Sequence, residues 1–150
     1  MPSQHHLLRR AVPLALLGSL LIAASVSAAG PTTRRLSLDS AKVQGDGDSQ
    51  EPAISADGRY VAFSSYAANL VGGDTNGAQD VFVRDRTTKT TTRLSVSSVG
   101  AQGDDYSYSP SISADGRYVA FHSDATNLVG GDTNNATDVF VRDRTTNTTT

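Results

Sequence analysis

The 150-residue sequence has no cysteine. No disulfide can brace the fold, no thiolate can serve as a nucleophile, and no zinc–thiolate site can form, so stability must come from packing and sheet hydrogen bonds. Positive charge is also scarce, with 13 Lys and Arg against 15 Asp and Glu and no basic patch. This argues against nucleic acid as a partner, because binding that polymer depends on neutralising its phosphates. Imidazole is almost missing: of three histidines, His5 and His6 sit near the N-terminus and His122 stands alone. No phosphate-cradling GxxxxGK loop occurs. Helical periodicity is missing beyond the first thirty residues, and the expected class is all-β.

The one long apolar run, Ala11 to Val26, is shorter than the ~20 residues that cross a bilayer comfortably. Arg9 and Arg10 precede it without an acid, and Val26, Ser27 and Ala28 form a small-residue cleavage pattern. Residues 1–28 therefore read as a secretory signal peptide cut after Ala28 or Ala29. An uncleaved anchor is the rival. The general secretory route is favoured over the twin-arginine route, since AVP follows the arginines. Residues 29–34 form a polar junction. The mature chain would carry 11 basic against 15 acidic side chains, about −4, with no membrane span and a secreted, periplasmic or cell-envelope location.

What remains is a repeat. Shifting the chain by 58 residues aligns Arg35–Thr92 with Arg93–Thr150 without a gap, and 42 of the 58 pairs are identical. Four short strands are expected in each copy. Arg35–Leu38 (Arg93–Val96) alternates apolar and polar residues. A polar Gly and Asp loop follows it. Pro52–Ser55 (Pro110–Ser113) begins on proline, which has no backbone donor to lose at a strand start. Asp57–Gly58 and Asp115–Gly116 are tight-turn signals leading into RYVAF, Arg59–Phe63 and Arg117–Phe121, whose apolar residues on both faces predict cover on both sides. An inserted loop, SSYAANLVGGDTNGAQ, has Leu70 and Val71 as its apolar anchor. DVFVRD, Asp80–Asp85 and Asp138–Asp143, is the next strand, and Thr90–Thr92 starts a Thr-rich strand running into the RLS of the next copy.

SADGRYVAF, at Ser55–Phe63 and Ser113–Phe121, followed by DVFVRD, resembles the blades of TolB-like, WD-repeat-like β-propellers of exported bacterial proteins. The resemblance covers both repeats and implies propeller blades that contact protein or glycan through their loops. Two departures stand out. Fifty-eight residues exceed the ~40 to 45 of a WD-type blade, the excess lying in the polar loops. Two blades fall short of the roughly four to eight that close a ring. The favoured expectation is a fragment of a longer propeller; the alternative is head-to-tail self-association.

The acidic loop carries the sharpest site hypothesis. Asp74, Asn76 and Asp80, and again Asp132, Asn134 and Asp138, place oxygen ligands at alternating positions after paired glycines, as calcium sites do. The other reading, and the favoured one, is a set of Asx turns with Asp80 bonding the loop backbone. Asp46, Asp48 and Glu51, with Asp104 and Asp105, could add ligands from the same rim. Tyr106 and Tyr108 replace Asp48 and Gln50 in the second copy, a change read as drift. Arg84, Arg86, Arg142 and Arg144 are expected to pair with Asp85, Asp80 or their counterparts on a solvated edge. Asp85 and Asp143 are expected to cap their hairpins. No triad or paired-carboxylate set is evident. The expected function is a secreted, non-catalytic binding or scaffold module with no certain cofactor. The alternatives are an accessory propeller domain of a larger secreted hydrolase or lyase, and a calcium-dependent surface binding module.

Overall fold

The computed structural model describes residues 32–150, of which 34–150 form one compact unit. The expected signal peptide and the first residues of the junction lie outside the described residues. The fold is all-β: two four-stranded antiparallel sheets with strand orders β1-β2-β3-β4 and β5-β6-β7-β8. In the first blade β1 is Ser49–Ile54, β2 Tyr60–Ser65, β3 Asp80–Asp85 and β4 Thr90–Arg93. In the second, β5 is Ser107–Ile112, β6 Tyr118–Ser123, β7 Asp138–Asp143 and β8 Thr148–Thr149. Within each sheet every strand pairs with the next in sequence, and the two sheets pack face to face as neighbouring propeller blades do.

The SADGR turn sets the register. Ser55 Oγ donates to Asp57 Oδ1 at 2.6 Å and accepts from the Tyr60 amide at 3.0 Å, while the Arg59 amide donates to Asp57 Oδ1 at 2.9 Å. Gly58 takes φ +69°, a left-handed conformation that glycine adopts without a Cβ penalty. Arg59 then reaches across to Asp85, with Nη2 to Oδ2 at 2.7 Å. Asp85 Oδ1 also accepts from the Thr87 and Thr88 amides at 2.8 and 3.2 Å, capping the hairpin as expected. The Arg59 guanidinium and these two amides hold the Asp85 carboxyl well below the usual carboxylate range. The second copy repeats the arrangement through Ser113, Asp115, Arg117 and Asp143.

Apolar residues on both faces of β2 and β3 build two cores. Ala62, Val81 and Val83 face the second blade and meet Val119, Phe121, Ala125, Leu128 and Phe140, with Leu94 between the sheets. Phe63 and Phe82 point the other way, stacked on each other at 5.9 Å and packed against the loop anchors Ala67 and Leu70. Burying each large apolar side chain contributes about 1.5–3 kcal/mol. The cover on both sides expected of RYVAF is found in β2, whereas β6, with the same letters, is covered on one face only, Tyr118 and His122 being exposed.

Further expectations need correction. Arg35–Leu38 and Arg93–Val96 are not strands. Arg93 ends β4, the Leu94 amide makes one more bond to Val81 O at 2.7 Å, and the chain then leaves the sheet edge. Each becomes a strap closed by an isolated bridge, Leu38 to Gln44 and Val96 to Gln102; in the second strap Leu94 leaves the ladder to be buried between the blades. Pro52 is not a strand start. It lies inside β1 at a bulge between Gln50 and Ala53, beside Glu51 at φ +54°, where the missing N–H forfeits no ladder bond. Nor do the arginines of DVFVRDR pair with Asp85 or Asp80. Buried Arg84 donates to Asp39 O at 2.7 Å and Thr91 Oγ1 at 2.9 Å, pinning the strap to β3 and β4. Arg86 and Arg144 donate to the carbonyls of Gly58 and Gly116.

Candidate functional site

The inserted loops lie between β2 and β3 and between β6 and β7. Ala67 and Leu70, and Ala125 and Leu128, are buried and tether them to the cores. Gly73 at φ +76° and Gly131 at φ +88° make the bends at the second of each pair of glycines. Each strap is clamped to the loop of its own blade: Asn69 Nδ2 donates to Gln44 O at 2.9 Å, and Asn127 Nδ2 to Gln102 O at 2.8 Å.

In the first copy the structure brings Asp74, Asn76 and Asp80 together around side chains of the following strap. Asp80 is fully buried. Its carboxylate does not bond the loop backbone as expected; it accepts from side chains of the following strap, Ser95 Oγ at 2.6 Å, Arg93 Nη1 at 3.0 Å and Gln102 Nε2 at 3.1 Å. Asp74 Oδ1 accepts from the same Gln102 nitrogen at 3.0 Å and lies 3.6 Å from Arg93 Nη1. Asn76 makes an Asx turn, accepting from the Ala78 amide at 3.0 Å, and its Nδ2 donates to Gly103 O at 2.9 Å. Arg93 Nη2 closes the ring on Gly73 O at 3.0 Å. Burial pushes the Asp80 carboxyl upward, against the pull of Ser95 and Arg93. A guanidinium therefore already stands between the two carboxylates, and a cation at this loop would share the site with it.

The second copy has the same letters and a different environment. Asn134 again makes its Asx turn with the Ala136 amide, at 2.9 Å, but its Nδ2 turns to Asp138 Oδ2 at 3.1 Å. Among the described residues Asp138 accepts only that side-chain bond and Asp132 accepts none. Both are half-buried and line an open cavity of about 380 Å³ floored by Val129, Val139 and Phe140. Among the described residues no group of three or more His, Asp or Glu side chains is placed to hold a metal ion.

The other acidic residues spread along the straps. Asp104 accepts from the Thr126 amide and hydroxyl, both at 2.8 Å. Glu51 bridges the blades, accepting from Ser64 Oγ at 2.7 Å and the Ser109 amide at 2.7 Å; these bonds, Ser64's foremost, lower its carboxyl. The copy differences are paired in space. Gln50 opposite Ser64 becomes Tyr108 opposite His122, with rings stacked at 5.8 Å, and Tyr106 meets Tyr66 of the first blade edge-on at 6.3 Å. A cross-strand stack and an inter-blade contact give these changes a packing role.

Sequence reasoning missed Arg93, Ser95 and Gln102, which hold the first loop. Their signal was present: Arg35, Ser37 and Gln44 match them in the other copy, while the neighbouring strap positions Leu38/Val96, Asp39/Ser97 and Lys42/Gly100 differ.

Among the solved structures similar to this chain are two described as TolB. TolB from Acinetobacter baumannii is 20% identical over 70% of this chain and 20% of its own, with a TM-score of 0.43. A TolB structure from Agrobacterium tumefaciens is 18% identical over 68% of this chain and 29% of its own, with a TM-score of 0.46. The chain thus spans less than a third of either protein. No family model and no curated protein matches the sequence.

Proposed function

We propose that this propeller-type chain is an exported, non-catalytic scaffold and binding module of the cell envelope or its exterior, which contacts protein or glycan through the rim loops. The observation that supports this reading is how the repeated charged groups are used. Asp57, Arg59, Asp80, Arg84 and Asp85 all hold turns, strands or straps in place. The exposed residues at the rim, Thr133, Asn134 and Asn135 among them, are short and polar, and loops on a rigid scaffold are where recognition concentrates.

Cell fractionation with intact-mass measurement tests export: the expected product begins at Ala29 or Gly30 and is found outside the cytoplasm, and an uncut cytoplasmic product contradicts it. Retention on an isolated envelope polysaccharide or protein fraction tests the rim. Thr133→Arg should abolish retention at an unchanged melting temperature, and equal retention by wild type and variant would remove the rim from the proposal.

A further inference from the structure

We infer that Asn76 is a site of spontaneous deamidation, and that its conversion to aspartate or isoaspartate unlatches the first rim loop from the strap of the next blade. Of the asparagines in the sequence, Asn76 alone is followed by glycine, the residue whose missing Cβ leaves its amide nitrogen freest to turn back on the preceding side chain. The reaction consumes only water. Gly77 N gives its proton to hydroxide and attacks Asn76 Cγ; the Cγ–Nδ2 bond breaks and the nitrogen leaves as ammonia, taking a proton from water. The succinimide so formed is opened by water at Cγ, leaving aspartate, or at the main-chain carbonyl, leaving isoaspartate with the chain running through the former side chain.

The turn presents both reacting groups. Asn76 Oδ1 accepts from the Ala78 amide at 3.0 Å, which folds Cγ back over Gly77 N and aims a donor at the oxygen that gains charge during attack. Gly77 is exposed at φ +66°, a Cβ on it would meet nothing within 4 Å, and its own amide has no acceptor among the described residues. Solvent hydroxide can reach that proton. The second copy keeps the Asx turn, Ala136 amide to Asn134 Oδ1 at 2.9 Å, with Asn135 at φ +50° where the first has Gly77. A side chain is therefore compatible with the turn, and its bulk obstructs the attack. The leaving nitrogen is also the latch. Nδ2 donates to Gly103 O at 2.9 Å, the bond that ties Asn76 to the strap. Conversion puts a carboxylate oxygen against that carbonyl and adds a negative charge beside Asp74 and Asp80, which already share the guanidinium of Arg93. A part-buried carbonyl left without its donor weakens the junction. This chemistry is independent of what the rim binds.

Peptide mapping by mass spectrometry of the purified chain, held at mildly alkaline pH and sampled over time, tests this. Asn76 should convert first, at least roughly tenfold ahead of Asn69, Asn127, Asn134, Asn135 and Asn147, with isoaspartate detected at position 76. Gly77→Asn, the residue that the second copy carries there, should start near the wild-type melting temperature and slow conversion at position 76 roughly tenfold or more. The melting temperature of the wild type should fall as conversion proceeds, while that of Gly77→Asn holds. Asn76→Asp, which keeps the Asx turn and loses only the latch, should lower it at once, by roughly 3–8 °C. No conversion at position 76, another asparagine converting ahead of it, an unaltered rate in Gly77→Asn, or an Asn76→Asp chain as stable as the wild type would each overturn the inference.

Discussion

β3 and β7 have the same sequence, DVFVRD, yet all six residues are buried in β3 and only Phe140 and Arg142 in β7. The difference is the neighbour. β3 is sealed by the second blade and by the strap that follows β4, whereas the matching face of β7 is open among the described residues. Identical letters therefore acquire their energetics from the next repeat, as expected where each repeat contacts chiefly its neighbours. The loops show the same thing in charge: Asp80 is a buried partner of Arg93, and Asp138 a half-buried acid held by Asn134.

Paired substitutions probe that contrast. The largest difference is expected between Val81→Asp and Val139→Asp. The first places an unpaired carboxylate in the inter-blade core and should cost more than about 4 kcal/mol or prevent folding. The second should stay within about 0.5 kcal/mol, both read by urea denaturation. Next, Asp80→Ala strands Arg93 in a buried site and should cost about 3 kcal/mol, against less than about 1 kcal/mol for Asp138→Ala; equal losses would mean that the strap contributes nothing. Gly116→Ala should follow, at about 2 kcal/mol, because it combines a left-handed φ with overpacking: its Cβ would lie 2.2 Å from Tyr60 Cδ2 at φ +72°. Gly58→Ala, with its nearest contact at 3.4 Å, should show only the backbone cost of about 1 kcal/mol.

The smallest difference between blades is expected in acid. Arg117 and two hairpin amides lower the Asp143 carboxyl as Arg59 lowers that of Asp85. Stability from both is present above the ordinary carboxylate range and is lost as pH falls below it. Asp85→Asn and Asp143→Asn should therefore each reduce the steepness of the acid limb by a similar amount. Asp80 works in the opposite direction: burial raises its carboxyl, so its contribution declines as pH rises through the carboxylate range. Asp80→Asn should remove that decline, as measured by melting temperature against pH.

Much of the fold was legible in the sequence. The Asp–Gly turns, the apolar pattern of RYVAF and the gapless repeat placed β2, β3, β6 and β7 and the all-β class. What failed depends on contacts between repeats. RLS looks like a strand because it alternates, but Leu94 is drawn into the space between two sheets. Arg84 looks like a surface arginine because its acceptors are main-chain carbonyls of a distant strap, invisible to residue spacing. In the candidate site the Asx turns at Asn76 and Asn134 followed from local chemistry, whereas the partners of Asp80 lie 13 to 22 positions away in the following repeat.

The most direct measurement is amide hydrogen exchange at Val81 and Val139, the same position in the same hexapeptide. The Val81 amide donates to Ser95 Oγ at 3.2 Å beneath the following strap. In the purified chain the Val81 amide should be protected and the Val139 amide should exchange at least tenfold faster. Equal protection at the two amides would contradict the claim that the neighbouring repeat, rather than the blade's own sequence, locks the loop.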